Sequence, residues 1–201
     1  MQRPRLIYYN DAHHFHAKRL EPSASIHMLQ WPVDEVAGTG VDLLVLGLAY
    51  GDVYFHASKA GRVVGQKKEV WENYIDWRIM RMVEEAAKLN TDQVLEVTQR
   101  GQELGMKVFP SLKLQDVGQP GAERCGLLKW EEGSKVCLGI KGRNEWAYDF
   151  ALESVRESKL AIVREILSDY KADGIELDFM FGDAYFKPDE GEAASIMSHY
   201  M

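Results

Sequence analysis

Two carboxylates two residues apart, Glu176 and Asp178, stand in the stretch Ala172-Asp-Gly-Ile-Glu-Leu-Asp-Phe-Met180. Ile175, Leu177 and Phe179 recur there at period two behind an Asp-Gly turn, which is the mark of a short buried strand. Glu176, Asp178 and Met180 then share the opposite face. A strand that follows a helix belongs in a parallel sheet covered on both sides, where an unpartnered carboxylate is costly. Two acids on that face therefore mark a site. The chemistry such a pair supports is proton transfer or nucleophilic attack, because two nearby carboxyl groups push each other's pKa values apart. The plainer alternative is a pair of acids solvated at an open sheet edge or neutralised by basic neighbours.

A second polar cluster follows the strand candidate Arg5-Leu-Ile-Tyr-Tyr9: Asn10, Asp11, His13, His14 and His16. No apolar core would select these residues, so they read as a loop at a strand end. Three histidines within four positions have the donor types of a metal site. The reading adopted is instead that Asn10, Asp11, His13 and His14 contact a substrate, with no metal and no cofactor. A third cluster, from Tyr50 to about Glu69, is a long loop carrying Tyr50, Tyr54, Phe55 and His56. These rings either stack on a flat apolar ligand face, with Tyr50 and His56 as contacts, or pack the loop down onto itself.

The elements that must position these clusters alternate. Val41-Asp-Leu-Leu-Val-Leu-Gly-Leu48 is a continuous apolar strand after a weakly helical segment from Ile26 to Val36 that contains Pro32. Apolar positions 71, 74, 75, 79, 82, 83 and 86 lie on one helix face, Thr91 opens a further helix, and Gly105 closes it. Met106 to Leu114 is the third strand, expected to stop or bend at Pro110. A long irregular region from about 115 to 145 follows, then a helix marked by Leu152, Val155, Leu160, Val163, Ile166 and Leu167. Strands near 5–9, 41–48, 106–114 and 174–181 thus alternate with helices, and every polar cluster follows a strand.

Composition narrows the partners. A formal net charge of -7 over 201 residues, with Lys and Arg interspersed among the acids, leaves no basic stripe for a nucleic acid. No run of about eighteen apolar residues suits a membrane, and the first residues lack a signal-peptide core, so a cytoplasmic location is expected. Cys125 and Cys137 are the only two cysteines; both fall in one loop-like segment and could form a bridge, and the reading adopted is two free thiols.

Several segments together resemble the glycoside-hydrolase-like TIM barrels of bacteria. They are Tyr9-Asn-Asp11, Gly38-Thr-Gly-Val-Asp42, Trp71-Glu-Asn-Tyr through Arg78, Phe109-Pro-Ser-Leu-Lys113 with Asp116, Asn144-Glu-Trp146, Asp149-Phe150, Val155-Arg-Glu157 and Asp173-Gly-Ile-Glu-Leu-Asp-Phe179. The resemblance covers nearly the whole chain. It implies a (β/α)8 barrel, a carbohydrate substrate, catalysis by acids at strand ends, and sugar contacts in the loops above them, Lys113 and Trp146 included. Only four β-α units are present, so the chain is expected to be the N-terminal half of such a barrel, from residue 1 to 201. Either a longer polypeptide or a second copy in a homodimer would then complete the sheet.

Glycoside hydrolysis uses two carboxyl groups about 5–5.5 Å apart for retention and about 6.5–9.5 Å apart for inversion. Glu176 and Asp178 stand on one strand with Cα atoms about 6.6–6.8 Å apart, stacked on one wall rather than facing each other. Asp178 is therefore the expected nucleophile or base, Glu176 its tuning neighbour, and Asp116 the expected partner from another strand. The segment is also similar to the chitinase-type motif, but Met180 stands where that motif ends in a catalytic Glu, and a thioether cannot protonate a leaving group. Two alternatives stay open: a metal-assisted lyase or isomerase with Mg²⁺ on Asp116, Glu176 and Asp178, and a catalytically inactive carbohydrate-binding half barrel.

Overall fold

The computed structural model describes residues 6–68, 70–71 and 73–187. Their order is β1 (Ile7–Asn10), a π-helical turn (Phe15–Arg19), α1 (Ile26–Asp34), β2 (Leu43–Gly47), β3 (Ala49–Tyr50), β4 (Val53–Tyr54), α2 (Tyr74–Lys88), α3 (Gln93–Glu103), β5 (Lys107–Lys113), α4 (Leu127–Glu132), a 3-10 turn (Gly133–Val136), α5 (Glu153–Asp169) and β6 (Glu176–Asp178). β1, β2, β5 and β6 form one parallel sheet in that spatial order, and β3 with β4 makes a small antiparallel hairpin. The chain is a mixed α/β protein built on a parallel sheet. The strands expected from sequence match these four, three of them trimmed at both ends and β1 shifted to run through Asn10, whereas the hairpin and the two short helical turns carry no periodicity long enough to be seen beforehand. Residues beyond 187 lie outside the described residues.

Local chemistry explains the boundaries. Ser25, Asn73 and Asp92 cap α1, α2 and α3 by accepting from the backbone N–H of Met28, Ile75 and Leu95. Gly105 ends α3 at φ 75°, a conformation that disfavours any residue with a Cβ. Sequential parallel strands need helical crossovers, and these cover one face of the sheet. On that face Leu44, Leu46, Val108 and Leu112 pack with Val33, Ile79, Val94, Val97, Ile162 and Ile166 into the main core. Gly101 of α3 lets the helix close onto β5, because a Cβ there would sit 2.4 Å from Val108 Cγ2.

β5 does not stop at Pro110. Lys107 N–H donates to Asp42 O and Ser111 O accepts from Leu48 N–H, so the odd residues of β5 bond toward β2. The even residues bond toward β6, as Val108 O does with Asp173 N–H. Pairing with β6 begins only at Ser111. The missing N–H of Pro110 thus falls on the β6 side before that ladder starts, and no sheet hydrogen bond is lost.

Candidate active site

Register decides which side chains meet. Tyr9, Val45 and Phe109 are partners across β1, β2 and β5, while Ser111 pairs with Glu176 and Lys113 with Asp178. Partners in a parallel ladder point to the same side, so all of these residues occupy the face opposite the helices. There Tyr9, Asp11, Lys113, Glu176, Leu177, Asp178, Phe179, Met180 and Phe181 line a cleft of about 670 Å³ beyond the strand ends.

Each group in the cleft has a definite anchor. Glu176 accepts a short hydrogen bond from Ser111 Oγ. Asp178 is 6% exposed and accepts from Met180 N–H at 2.7 Å, which fixes the turn after the strand. Neither carboxylate belongs to an ion pair among the described residues. Lys113 Nζ lies 4.1 Å above the Phe181 ring and 3.5 Å from Ala49 O. Burial lowers the Lys113 pKa, and the nearby charges of Asp178 and Asp11 oppose that shift. The Tyr9 phenol is raised, chiefly by burial and further by Asp178, Glu176 and Asp11, so it stays protonated and can donate. Asp178 also helps burial raise Tyr185 to about 12.

The β1 loop enters the cleft through Asp11, which sits over the end of β2 because Gly47 has no side chain: a Cβ there would lie 2.5 Å from Asp11 O. Asn10 is buried and shapes the turn, its Oδ1 accepting from Ala12 N–H at 2.9 Å. Asp11 Oδ1 is 3.2 Å from His14 Nδ1. His13 stacks flat on Tyr50 at 4.4 Å, and the Arg124 guanidinium lies 3.8 Å from the same Tyr50 ring. Burial lowers the His13 pKa, with His14, Arg124 and Lys113 acting in the same direction against Asp11.

Of the residues singled out in the sequence, Asp11, Lys113, Glu176 and Asp178 come together, and His13 and His14 adjoin them. The others are placed elsewhere. Asp116 does not line the cleft; its carboxylate is 2.9 Å from Lys129 Nζ, which also donates to Asp116 O and Gly118 O. Burial raises the Asp116 pKa and Lys129 holds it back. The set Asp116, Glu176 and Asp178 is thereby split between two environments, which removes the geometric support for a shared Mg²⁺. His56 has no exposed surface and bonds Glu165 Oε2 at 3.2 Å, and Tyr54 and Phe55 are buried with it. The loop from Tyr50 is packed down by its own aromatics, and the Tyr50 ring itself lies against His13 and the Arg124 guanidinium. Trp146 packs against Val136, Cys137, Tyr148 and Val155 instead of the cleft. Cys125 and Cys137 are both free and buried. Tyr9, Ser111, Phe179 and Phe181 were not singled out as contacts; Tyr9 and Ser111 stand two residues before Asp11 and Lys113, a period-two signal, whereas Phe179 and Phe181 follow the end of β6 and carry no such signal.

No protein-family model matches the chain, and no curated protein matches it. Solved structures do. A noncanonic maltogenic alpha-amylase from Thermotoga neapolitana superposes with TM-score 0.54 at 13% identity over 89% of this chain and 39% of its own. An alpha-L-fucosidase from Lactobacillus casei gives TM-score 0.45 at 14% identity over 86% of this chain and 47% of its own. The chain therefore spans about two fifths of the amylase, and the likeness is one of fold. No helix among the described residues is long and apolar enough to cross a membrane.

Proposed function

We propose that the chain carries half of the active site of a glycoside hydrolase of (β/α)8-barrel type, acting on an O-glycosyl bond of a carbohydrate. The observation that carries this reading is the cleft at the C-terminal ends of parallel strands, where Glu176 and Asp178, in no ion pair among the described residues, stand with Lys113, Asp11 and Tyr9. Strand C-terminal ends are where such barrels place their chemistry. In this scheme Asp178 acts as nucleophile or base, since it ends its strand and its Oδ1 is oriented by Met180 N–H. Glu176, one pleat deeper and held by Ser111, is its neighbour on the same wall of the cleft. Lys113 and Asp11 hydrogen-bond sugar hydroxyls, and Phe179, Phe181 and Tyr9 offer the apolar walls on which a pyranose face can lie.

The proton donor would come from strands that close the barrel, supplied by a longer polypeptide or a second copy. The fold likeness to an amylase is compatible with this reading and supports it only at the level of architecture. The test is hydrolysis of a panel of chromogenic aryl glycosides by the protein in its full-length context. Asp178→Asn should lower turnover by about 10²–10⁴-fold with an unchanged circular dichroism spectrum. Turnover near the wild-type value would remove Asp178 from the mechanism.

A further inference from the structure

We propose that Asp11, His13 and His14 form a binding site for a divalent transition-metal ion of the zinc type at the C-terminal end of β1. The three side chains offer one carboxylate oxygen and two imidazole nitrogens, and these ligand atoms all lie within 4.8 Å of one another. The Asp11 Oδ1 to His14 Nδ1 distance is 3.2 Å. Two ligands at about 2.0–2.1 Å from a tetrahedral Zn²⁺ are themselves about 3.3–3.4 Å apart, so this pair already has the spacing of one coordination sphere.

The His13 imidazole is pre-oriented by the stack on Tyr50, with 16° between the rings. Its Nε2 is buried and has no hydrogen-bond partner among the described residues. An unsatisfied buried nitrogen carries a standing desolvation cost, which a ligand on the ring would relieve. Backbone geometry brings the donors together. Ala12 has φ 56°, an uncommon conformation for a residue with a Cβ, and it is held by Asn10 Oδ1 on its N–H while His13 N–H returns to Asp11 O at 2.6 Å. The turn thereby folds the chain back so that positions 11, 13 and 14 converge.

Donor type selects the ion. Two imidazoles and one carboxylate suit Zn²⁺, Co²⁺ or Ni²⁺, whereas Mg²⁺ and Ca²⁺ take all-oxygen sites. Three protein ligands leave a fourth position open, the arrangement of zinc sites that bind a water or another small ligand. Asp11 also lines the cleft, so an ion held by it would stand at the edge of that space. The site is inferred from donor geometry alone and does not depend on the reaction proposed for the cleft.

The experiment is titration of the chelator-treated chain with Co²⁺, followed by visible absorption and calorimetry. One equivalent should bind and give the d–d bands of a low-coordinate N,O site, with Zn²⁺ displacing it and Mg²⁺ failing to. His14→Ala, at a mostly exposed side chain, should weaken binding by at least about tenfold while the circular dichroism spectrum stays that of the parent. Asp11→Asn should act likewise, and His27→Ala, on a distant helix, should leave binding unchanged. Absence of stoichiometric Co²⁺ binding by the parent, or equal affinity in parent and His14→Ala, would overturn the proposal.

Discussion

Lys129→Met separates a scaffold role for Asp116 from a catalytic one. Lys129 is fully buried, its Nζ donates at 2.9 Å to Asp116 Oδ2, at 2.9 Å to Asp116 O and at 3.0 Å to Gly118 O, and it lies 4.3 Å from the Tyr148 ring. Methionine fills similar volume but supplies no proton and no charge, so a carboxylate that is 7% exposed is left with only Gly118 N–H as a donor. Removing one partner of a buried ion pair costs about 3–5 kcal/mol. At about 2–4 °C per kcal/mol for a chain of this size, that is a fall in Tm of roughly 6–20 °C. Burial raises Asp116 and Lys129 opposes it, so loss of Lys129 raises the group further. A raised carboxylate penalises the folded state only while it is ionised. The deficit should therefore be fullest near neutral pH and shrink as pH falls through the folded-state value, where Asp116 takes up a proton. Asp116→Asn combined with Lys129→Met should regain more than half of the loss, because the amide has no charge to bury. Urea unfolding at two pH values measures all of this. A cost under about 1 kcal/mol, or a deficit that does not change with pH, would refute the account of Asp116 as a charge held by Lys129.

Two further outcomes follow from single contacts. Glu165 is held down at about 2: burial opposes its ionisation, but His56, Ser58 and the Lys59 N–H outweigh it. Its folded-state value lies below the unfolded one, so its contribution is complete above the ordinary carboxylate range and is lost as pH falls toward about 2; Glu165→Gln should flatten the acid limb of the stability curve, and an unaltered acid limb would count against the His56–Glu165 clamp. Gly47→Ala places a methyl 2.5 Å from Asp11 O, and because the obstacle is backbone the β1 loop must move. A loss of about 1–3 kcal/mol is expected by chemical denaturation, together with weaker Co²⁺ binding at Asp11, His13 and His14.

The strands were legible because parallel strands buried on both faces need apolar runs, and the Leu43–Gly47 run is entirely buried. Glu176 and Asp178 were legible for a related reason: alternation fixes which side they take, independent of how the sheet is covered. What sequence could not supply was pairing at a distance. Lys159 meets Asp52 across 107 positions and His56 meets Glu165 across 109. Nothing in the spacing of either partner announces the other, and so the sequence left His56 open between a ligand contact and a packed loop residue. Pro110 misled in a different way. Its cost depends on which neighbour its missing N–H would have faced, and that is a property of the ladder rather than of the strand.

The same distance-dependent pairing sorts the acids of this chain into two groups. On the helix-covered side, Asp52 has Lys159 at 2.7 Å, Asp116 has Lys129 at 2.9 Å and Glu165 has His56 at 3.2 Å. A carboxylate taken out of water without a partner costs several kcal/mol, so each of these charges is answered by a neighbour that makes it a structural element. Glu176 and Asp178 are treated differently. They hold hydrogen bonds from Ser111 and Met180 N–H, belong to no ion pair among the described residues, and line the cleft with Lys113, the register partner of Asp178 on the adjoining strand. Hydrogen bonds that orient a carboxylate and leave its charge in place are what a nucleophile or base requires, whereas an ion pair would lower its basicity. The contrast between answered and unanswered acids, rather than their number, is what directs the functional reading to the open face of the sheet.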